Sequence, residues 1–316
     1  MNNSLNNTAN TKPNTLIGVG LRHSHYAEVL GGAKQNVDFV EVHAENFFAS
    51  GGASRSLIHE IAEAYPLSVH GTSLGLGSTL ATPKNVLQQF TELVKSTQPI
   101  LVSEHLCFNR AEVNGNILHS GDLLPIPYNL DSLNNIVAHI QHVQDSIQRP
   151  LLIENLSAYI SPSQLAAENQ DKMTEFEFLV AMCKQSGCGL LLDLNNLIIN
   201  ELNKSVYDPL GAIPLEAISF EAVKQRISTL PASAVGEIHL AGYTDQSNNL
   251  PLGQPSFIID DHGAPVSDQC WDLYQFALHK FPNTPTLVEW DTQIPEWSVL
   301  LAEADKARRI SLNAKL

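Results

Sequence analysis

Eight short apolar runs, spread along nearly the whole chain, restrict the fold more than any other feature of the sequence. Pro150-Leu-Leu-Ile-Glu154-Asn155-Leu156 shows the pattern: an aliphatic stretch leads into a carboxylate and a carboxamide. Gly189-Leu-Leu-Leu-Asp193-Leu-Asn195 repeats it, Pro66-Leu-Ser-Val-His70 ends in imidazole, and Ile100-Leu-Val-Ser-Glu104-His105 ends in both. Glu237-Ile-His239-Leu and Thr286-Leu-Val-Glu289-Trp-Asp291 extend the set, while Leu16-Ile-Gly-Val-Gly20-Leu21 and Asp38-Phe-Val-Glu41-Val-His43 begin it. A strand covered on both faces reads as a continuous apolar run. Runs that keep stopping on Glu, Asp or His therefore read as strands that deliver polar groups to one end of a sheet.

Helical periodicity fills the gaps between the runs. Val86, Phe90, Leu93 and Val94 form one stripe, and Leu133, Ile136, Val137, Ile140, Val143 and Ile147 form a longer one behind a predicted N-cap at Asp131. Further helices are predicted near 54–65, 174–186, 215–229 and 267–280, with a last one from Pro295 and Glu296 to about Arg309. Strand alternating with helix implies a parallel sheet, and eight such units close most simply as an α/β (β/α)8 TIM barrel. The chain has 316 residues, which suits one barrel over 16–316 behind a polar, disordered tail at 1–15. Connections after strands are long at 107–130, around 157–173, at 200–214 and at 241–266, and those before strands are short. In barrels the long connections gather at the C-terminal face, where active sites lie.

Composition excludes several classes of function. The net charge is −15 with His neutral, which argues against nucleic acid or an anionic membrane as partner. No apolar run reaches the roughly 18 residues of a membrane-spanning helix, and the first fifteen residues lack the apolar core of a signal peptide. Cys107, Cys183, Cys188 and Cys270 lack the spacing of a zinc ribbon and read as reduced, mostly buried thiols of a cytoplasmic protein.

A barrel would bring His70, Glu104, His105, Glu154, Asn155, Asp193, Asn195, His239 and Glu289 together around one axis, with Asp260-Asp261-His262 added from the loop after strand seven. So many acids cannot stay ionised in a dry site without a cation. His with carboxylate is the donor set of iron, manganese, zinc or cobalt. The set exceeds the needs of one ion, so two or three clustered ions are expected, with Glu154 as a central bridge. Alternation sends one of Glu104 and His105 inward, and we favour His105 as ligand with Glu104 supporting it.

Each residue taken singly has a structural alternative. His43 reads as structural, and His119 as either a loop cap or a functional group. Asn155 and Asn195 either cap strand ends or orient ligands. Asp260 and His262 either clamp an ion or decorate a loop tip. Cys107 reads as packing rather than as a thiolate ligand. Arg22 and Arg110 either anchor a substrate carboxylate or brace loops. Gly71-Thr-Ser-Leu-Gly75-Leu-Gly77 is only a weak phosphate-loop signal, because no helix follows directly.

The motifs, in this order, resemble one family. Gly18-Val-Gly-Leu-Arg22 with His25-Tyr26, Glu41-Val-His-Ala-Glu45-Asn46, Ser68-Val-His-Gly71, Ser103-Glu-His-Leu106, Asp122-Leu-Leu-Pro-Ile-Pro127, Ile153-Glu-Asn155, Leu192-Asp-Leu-Asn-Asn196, Ile238-His-Leu-Ala-Gly242, Asp260-Asp-His262 and Val288-Glu-Trp-Asp291 are similar to those of the multinuclear non-haem iron-dependent oxidases, which include the methanobactin-biosynthesis oxidase. The resemblance runs from about 16 to 305. Relatives commonly carry Ser-Asp-His where this chain has Ser103-Glu104-His105, one methylene longer.

The resemblance implies a xylose-isomerase-like barrel with two or three irons and dioxygen as co-substrate. It implies oxidation of a cysteine in a ribosomally made precursor peptide, presented by a partner protein. It places the metal on His70, His105, Glu154, Asp193, His239, Asp260, His262 and Glu289, with Glu154, Asp193 and His239 as the catalytic centre. Loops 107–130 and 241–266 are the expected peptide groove, by position and length. The same barrel and donors would also serve a two-metal hydrolase or isomerase acting on a sugar or phosphoester. A non-catalytic binding barrel is the third reading.

Overall fold

The computed structural model describes residues 15–31, 36–158, 165, 171–204, 219–245 and 257–314. Of the predicted tail at 1–15, residues 1–14 lie outside the described residues and Thr15 is buried, and parts of the loops after the fifth, sixth and seventh barrel strands also lie outside them.

Eight parallel strands close into a barrel. They are β1 (Ile17–Gly20), β2 (Phe39–His43), β3 (Leu67–Gly71), β4 (Leu101–His105), β7 (Leu152–Glu154), β8 (Gly189–Asp193), β9 (Val235–Leu240) and β10 (Thr286–Val288). Each pairs with its sequence neighbour among the barrel strands, and β1 closes against β10 with Ile17 beside Thr286. The strands are almost wholly buried because helices cover the outside and side chains fill the inside.

The outer layer forms where apolar periodicity demands a partner. α2 (Ala53–Ala64), α3 (Lys84–Thr97) and α4 (Leu130–Ile147) bury the predicted stripes: Ile58 and Ile61, then Phe90, Leu93 and Val94, then Leu133, Ile136, Ile140 and Val143. α5 (Glu175–Ser186) starts on a capping box between Thr174 and Glu177 and stops at Gly187, whose φ of 75° suits the left-handed turn back into β8. α7 (Phe220–Thr229), α8 (Asp268–Lys280) and α9 (Trp297–Asn313) complete the layer, with a short α1 (Tyr26–Leu30) after β1.

Three expectations change. The N-cap of α4 is Asn129, whose side chain accepts from Ser132 N, so Asp131 lies inside the first turn. The connection 107–130 is not an open loop: it contains an antiparallel hairpin, β5 (Phe108–Val113) with β6 (Asn116–Leu124). A further helix, α6 (Leu194–Leu202), follows β8 directly. Its residues are buried nearly all round, so no polar face marks a helical period in the sequence.

Candidate metal centre

Parallel pairing sets the strand-end residues side by side. Asp193 sits beside His239, His105 beside Glu154, His70 beside Ser103, and His43 beside His70. Glu289 follows β10 at the same end and donates its backbone N–H to Leu240 O. His262 joins from the loop after β9. Its φ of 42° is uncommon for a residue with a side chain, and its carbonyl accepts from Asp291 N. His43, His70, His105, His262 and Glu289 line a pocket of about 300 Å³ together with Thr72, Leu123 and Asp260.

The donor atoms converge. Glu154 Oε2 lies 3.3 Å from His70 Nε2 and 3.4 Å from His105 Nε2, and the two nitrogens are 3.4 Å apart. Two donors about 2.1 Å from one ion are roughly 3.0 Å apart at octahedral angles and roughly 3.4 Å apart at tetrahedral angles. The triangle therefore has the size of one face of a coordination shell. The same Glu154 forms a second group with Asp193 and His239. Glu289 joins three more: with Glu41 and His239, with His43 and Asp291, and with Asp193 and His262. Shared carboxylates of this kind suit clustered ions.

Partners behind the donors aim them inward. His105 Nδ1 faces Gly71 O at 3.2 Å, and a carbonyl can only accept, so the ring presents Nε2 to the site. His70 Nδ1 meets Ser103 Oγ at 2.7 Å. Glu104 is fully buried, accepts from Leu74 N and His105 N, and lies 3.6 Å from His105 Nδ1, outside the donor groups. Asn155 clasps the backbone of Asp193 with two bonds, donating to its carbonyl and accepting from its N–H. Asn196 N donates to Asp193 Oδ1 at 2.6 Å, and its amide donates to Glu154 Oε1. Asn195 Nδ2 donates to Asp260 Oδ1, which also lies 2.7 Å from His262 Nε2.

Electrostatics fit a cation. Glu154 Oε2, Asp193 Oδ2, Asn195 Oδ1 and His239 Nε2 are buried without a hydrogen-bond partner. Burial pushes the Glu154 carboxyl up to about 8, although His105 and His239 pull the other way. Burial and the neighbouring Asp260 push Asp193 up to about 7. His105 is lifted to about 10, because Glu154 and Glu104 outweigh the burial that would lower it. Buried acids and imidazoles at these distances are groups that could hold metal ions.

Both arginines are engaged by the protein's own groups. Arg22 Nε donates to Asp291 Oδ1 at 2.8 Å and its Nη2 to Glu289 Oε1 at 2.9 Å, so its charge is spent on the cluster's own acids. Arg110 donates to the carbonyls of Ser73 and Leu74 and to Asn109 Oδ1, bracing the glycine-containing loop after β3. Gly75 in that loop has a φ of 56° and packs against Asn109 and Arg110, where a side chain would not fit. Neither guanidinium presents a free fork to a substrate carboxylate.

Sequence reasoning also left out residues that the fold recruits. Glu41 and Glu237 are fully buried beside His239, with Nε2 to carboxylate distances of 3.6 and 3.8 Å. His43 and Asp291 flank Glu289. The signal for Glu41 and Glu237 was present, since each is an acid inside an apolar strand. Position before the strand's end concealed it.

Comparison with known proteins follows this geometry. A family model described as "RiPP precursor modification enzyme MbnB/TglH/ChrH" matches residues 16–312. A UPF0276 protein of Chromobacterium violaceum is 39% identical over 293 residues, covering 93% of this chain and 94% of its own. One of Psychromonas ingrahamii is 35% identical over 295 residues, covering 93% of each chain. Among solved structures, D-psicose 3-epimerase from Clostridium cellulolyticum superposes with a TM-score of 0.56 at 11% identity, over 95% of this chain and 99% of that one. Endonuclease IV from Thermus thermophilus gives 0.51 at 13%, over 94% and 99%. A xylose isomerase-like TIM barrel protein from Mycobacterium smegmatis, in complex with magnesium, gives 0.51 at 13%, over 93% and 89%. At such identities the structures speak for the fold alone. A family match over almost the entire barrel, joined to relatives of similar length above one-third identity, makes this chain a member of the RiPP precursor modification enzyme family MbnB/TglH/ChrH.

Proposed function

We propose that the protein is a multinuclear non-haem iron oxidase that uses dioxygen to modify a cysteine in a ribosomally made precursor peptide. The observation that carries the metal part is the His70–His105–Glu154 triangle, joined through Glu154 to Asp193 and His239. The family supports the peptide as substrate. Imidazole and carboxylate donors are well suited to iron. We assign the ions to His70, His105, Glu154, Asp193, His239, Asp260, His262 and Glu289, with Asn195 within reach of the Asp260–His262 pair. Two or three irons are expected.

Iron bound there supplies the redox equivalents and the Lewis acidity that activate dioxygen and a substrate thiol. The chain's own side chains do the rest. Gly71 O, Ser103 and Glu104 hold the rings of His105 and His70 in place. Asn155 and Asn196 fix Asp193 and one oxygen of Glu154. Arg22 donates to Glu289 and Asp291 and holds the Asp291 carboxyl low, while His262, His239 and His43 do the same for Glu289. Leu123 and Thr72 form part of the pocket wall beside the donors. A partner that presents the peptide belongs to the same proposal.

Elemental analysis and an absorption spectrum of protein loaded anaerobically with iron test this reading, followed by oxygen uptake with cysteine-containing peptides. Two or more irons per chain with charge-transfer bands, and uptake that depends on peptide, are expected. Stoichiometric zinc or manganese that iron cannot displace, in a colourless protein, would favour the two-metal hydrolase or isomerase instead. Oxygen uptake by iron-free protein would overturn the proposal.

A further inference from the structure

The hairpin β5–β6 is not accounted for by metal chemistry. It leaves the barrel directly after His105, and Leu123 at its base lines the metal pocket. Asn109 and Arg110 anchor it in buried positions. At the tip, Asn114 and Gly115 have φ of 52° and 76°, a two-residue turn with both centres left-handed. In such a hairpin the pair flanking the turn is hydrogen-bonded and bonded pairs then alternate. Val113 faces Asn116 and Ala111 faces Leu118, so these are the bonded pairs. Ile117 and His119 therefore point their backbone N–H and C=O groups away from β5.

Nothing among the described residues takes up those groups, and β6 is exposed from Asn116 to Asp122. Its surface is apolar as well: Ile117 is 67% exposed, Leu118 54% and Val113 46%. Soluble proteins usually blunt such an edge with Pro or Lys, and β6 (Asn-Ile-Leu-His-Ser-Gly-Asp-Leu-Leu) carries neither. On the opposite rim, Ile259 is 49% exposed immediately before Asp260, which lines the same pocket.

We propose that the free edge of β6 docks the backbone of the extended peptide substrate, which adds as a third strand and runs on past Leu123 into the metal pocket. The proposal rests on the peptide-modifying reading and deepens it. Continuity of strand and pocket selects this occupant. Leu123 is four residues from His119 and six from Ile117, roughly 13–20 Å along a strand. An extended chain spans that distance while satisfying the outward row of donors and acceptors, and a sugar or other small substrate does not. Main-chain pairing gives affinity without dictating sequence, and the exposed apolar side chains add selectivity. The modified residue should therefore lie about four to six residues from the paired segment.

Twelve-residue peptides with one fixed cysteine, selected from a randomised display library on metal-loaded protein and then resynthesised, provide the probe. Ile117→Pro and His119→Pro remove outward N–H groups without removing a bond to β5, and Ile117→Val keeps the amide. We expect both Pro variants to weaken peptide affinity at least tenfold at unchanged metal content, and the Val variant to stay within threefold. Backbone N-methylation of the peptide, one residue at a time, should weaken binding at every second position of the paired segment, a readout independent of variant folding. Pro variants that bind like wild type, or an N-methylation profile without a two-residue period, would overturn the docking strand while leaving the peptide reading in place. A dimer that the Pro variants convert to monomer would assign the edge to a second copy instead. Failure to select any peptide would overturn both this proposal and the peptide reading.

Discussion

Replacing Arg22 with Met tests whether this arginine is the internal counter-charge of the acidic cluster. The guanidinium is almost fully buried, with Nε on Asp291 and Nη2 on Glu289, and the latter carboxylate is buried too. Burial and the adjacent Glu289 by themselves would raise the Asp291 carboxyl. Arg22 and His262 outweigh them and hold it below the ordinary range. Removing one partner of a buried ion pair costs about 3–5 kcal/mol, because the remaining charge is left uncompensated. Asp291 is 26% exposed, so the lower end applies, about 3 kcal/mol. For a chain of 316 residues that corresponds to a Tm drop of roughly 4–5 °C.

The assay is thermal unfolding of chelator-treated protein at pH 7. Adding Asp291→Asn to Arg22→Met removes the stranded acid and should recover at least half of the loss, a coupling that additive sites would not show. The sign of the pH dependence follows from the lowered carboxyl. Its stabilisation is fully present above the unfolded value of 3.8 and is lost as pH falls through the lower folded value. The gap between wild type and variant should therefore narrow only below about pH 3.8. A metal-free Arg22→Met protein that melts within a degree of wild type, or a double variant whose losses simply add, would refute the reasoning.

Five further outcomes are expected. Glu154→Gln should remove at least one metal per chain by elemental analysis, since Glu154 serves two donor groups, and retention of full metal content would count against its bridging position. Glu154 and Asp193 hold protons up to about 8 and about 7, so metal entry must displace them, and apparent affinity should rise at least tenfold per pH unit between roughly 6 and 7 in a competition titration. The same raised values mean that the metal-free fold loses stability as pH climbs through about 8, which a melt series from pH 6 to 9 would detect and metal loading should suppress. Asn155→Ala breaks the two-bond clasp on the backbone of Asp193 and should cost about 2 kcal/mol in denaturant unfolding, with metal affinity reduced alongside. Phe90→Ala opens a cavity beneath the β3 end that carries His70, and a cost of about 3–5 kcal/mol is expected by the same measurement.

Much of the architecture was legible because one physical rule governs it. A strand buried on both faces must be apolar until it reaches the site, so Leu152-Ile153-Glu154 and Leu190-Leu191-Leu192-Asp193 announce both their conformation and their end. The helical stripe from Leu133 to Ile147 was equally plain, since one face meets the barrel and the other meets water. α6 was not, because burial around its circumference removes the contrast that periodicity needs. The β5–β6 hairpin hid for the opposite reason: β6 is exposed along most of its length, so its side chains show little inward–outward alternation, although Asn114-Gly115 marks its turn.

Alone, then, the sequence determined the barrel, the end of it at which acids and imidazoles gather, and the types of group found there, because hydrophobic period and strand-end chemistry are local properties of the chain. Only the tertiary structure decided which groups come within reach of one another. Glu154 meets His70 across two strand pairings, His262 reaches Glu289 from a loop, and Glu41 and Glu237 turn out to stand behind His239. Arg22, which in the sequence could equally anchor a substrate, lies between Glu289 and Asp291, some 270 residues further on. Closure of the sheet creates those distances, and charge balance in a buried site depends on distance in space rather than on separation in sequence.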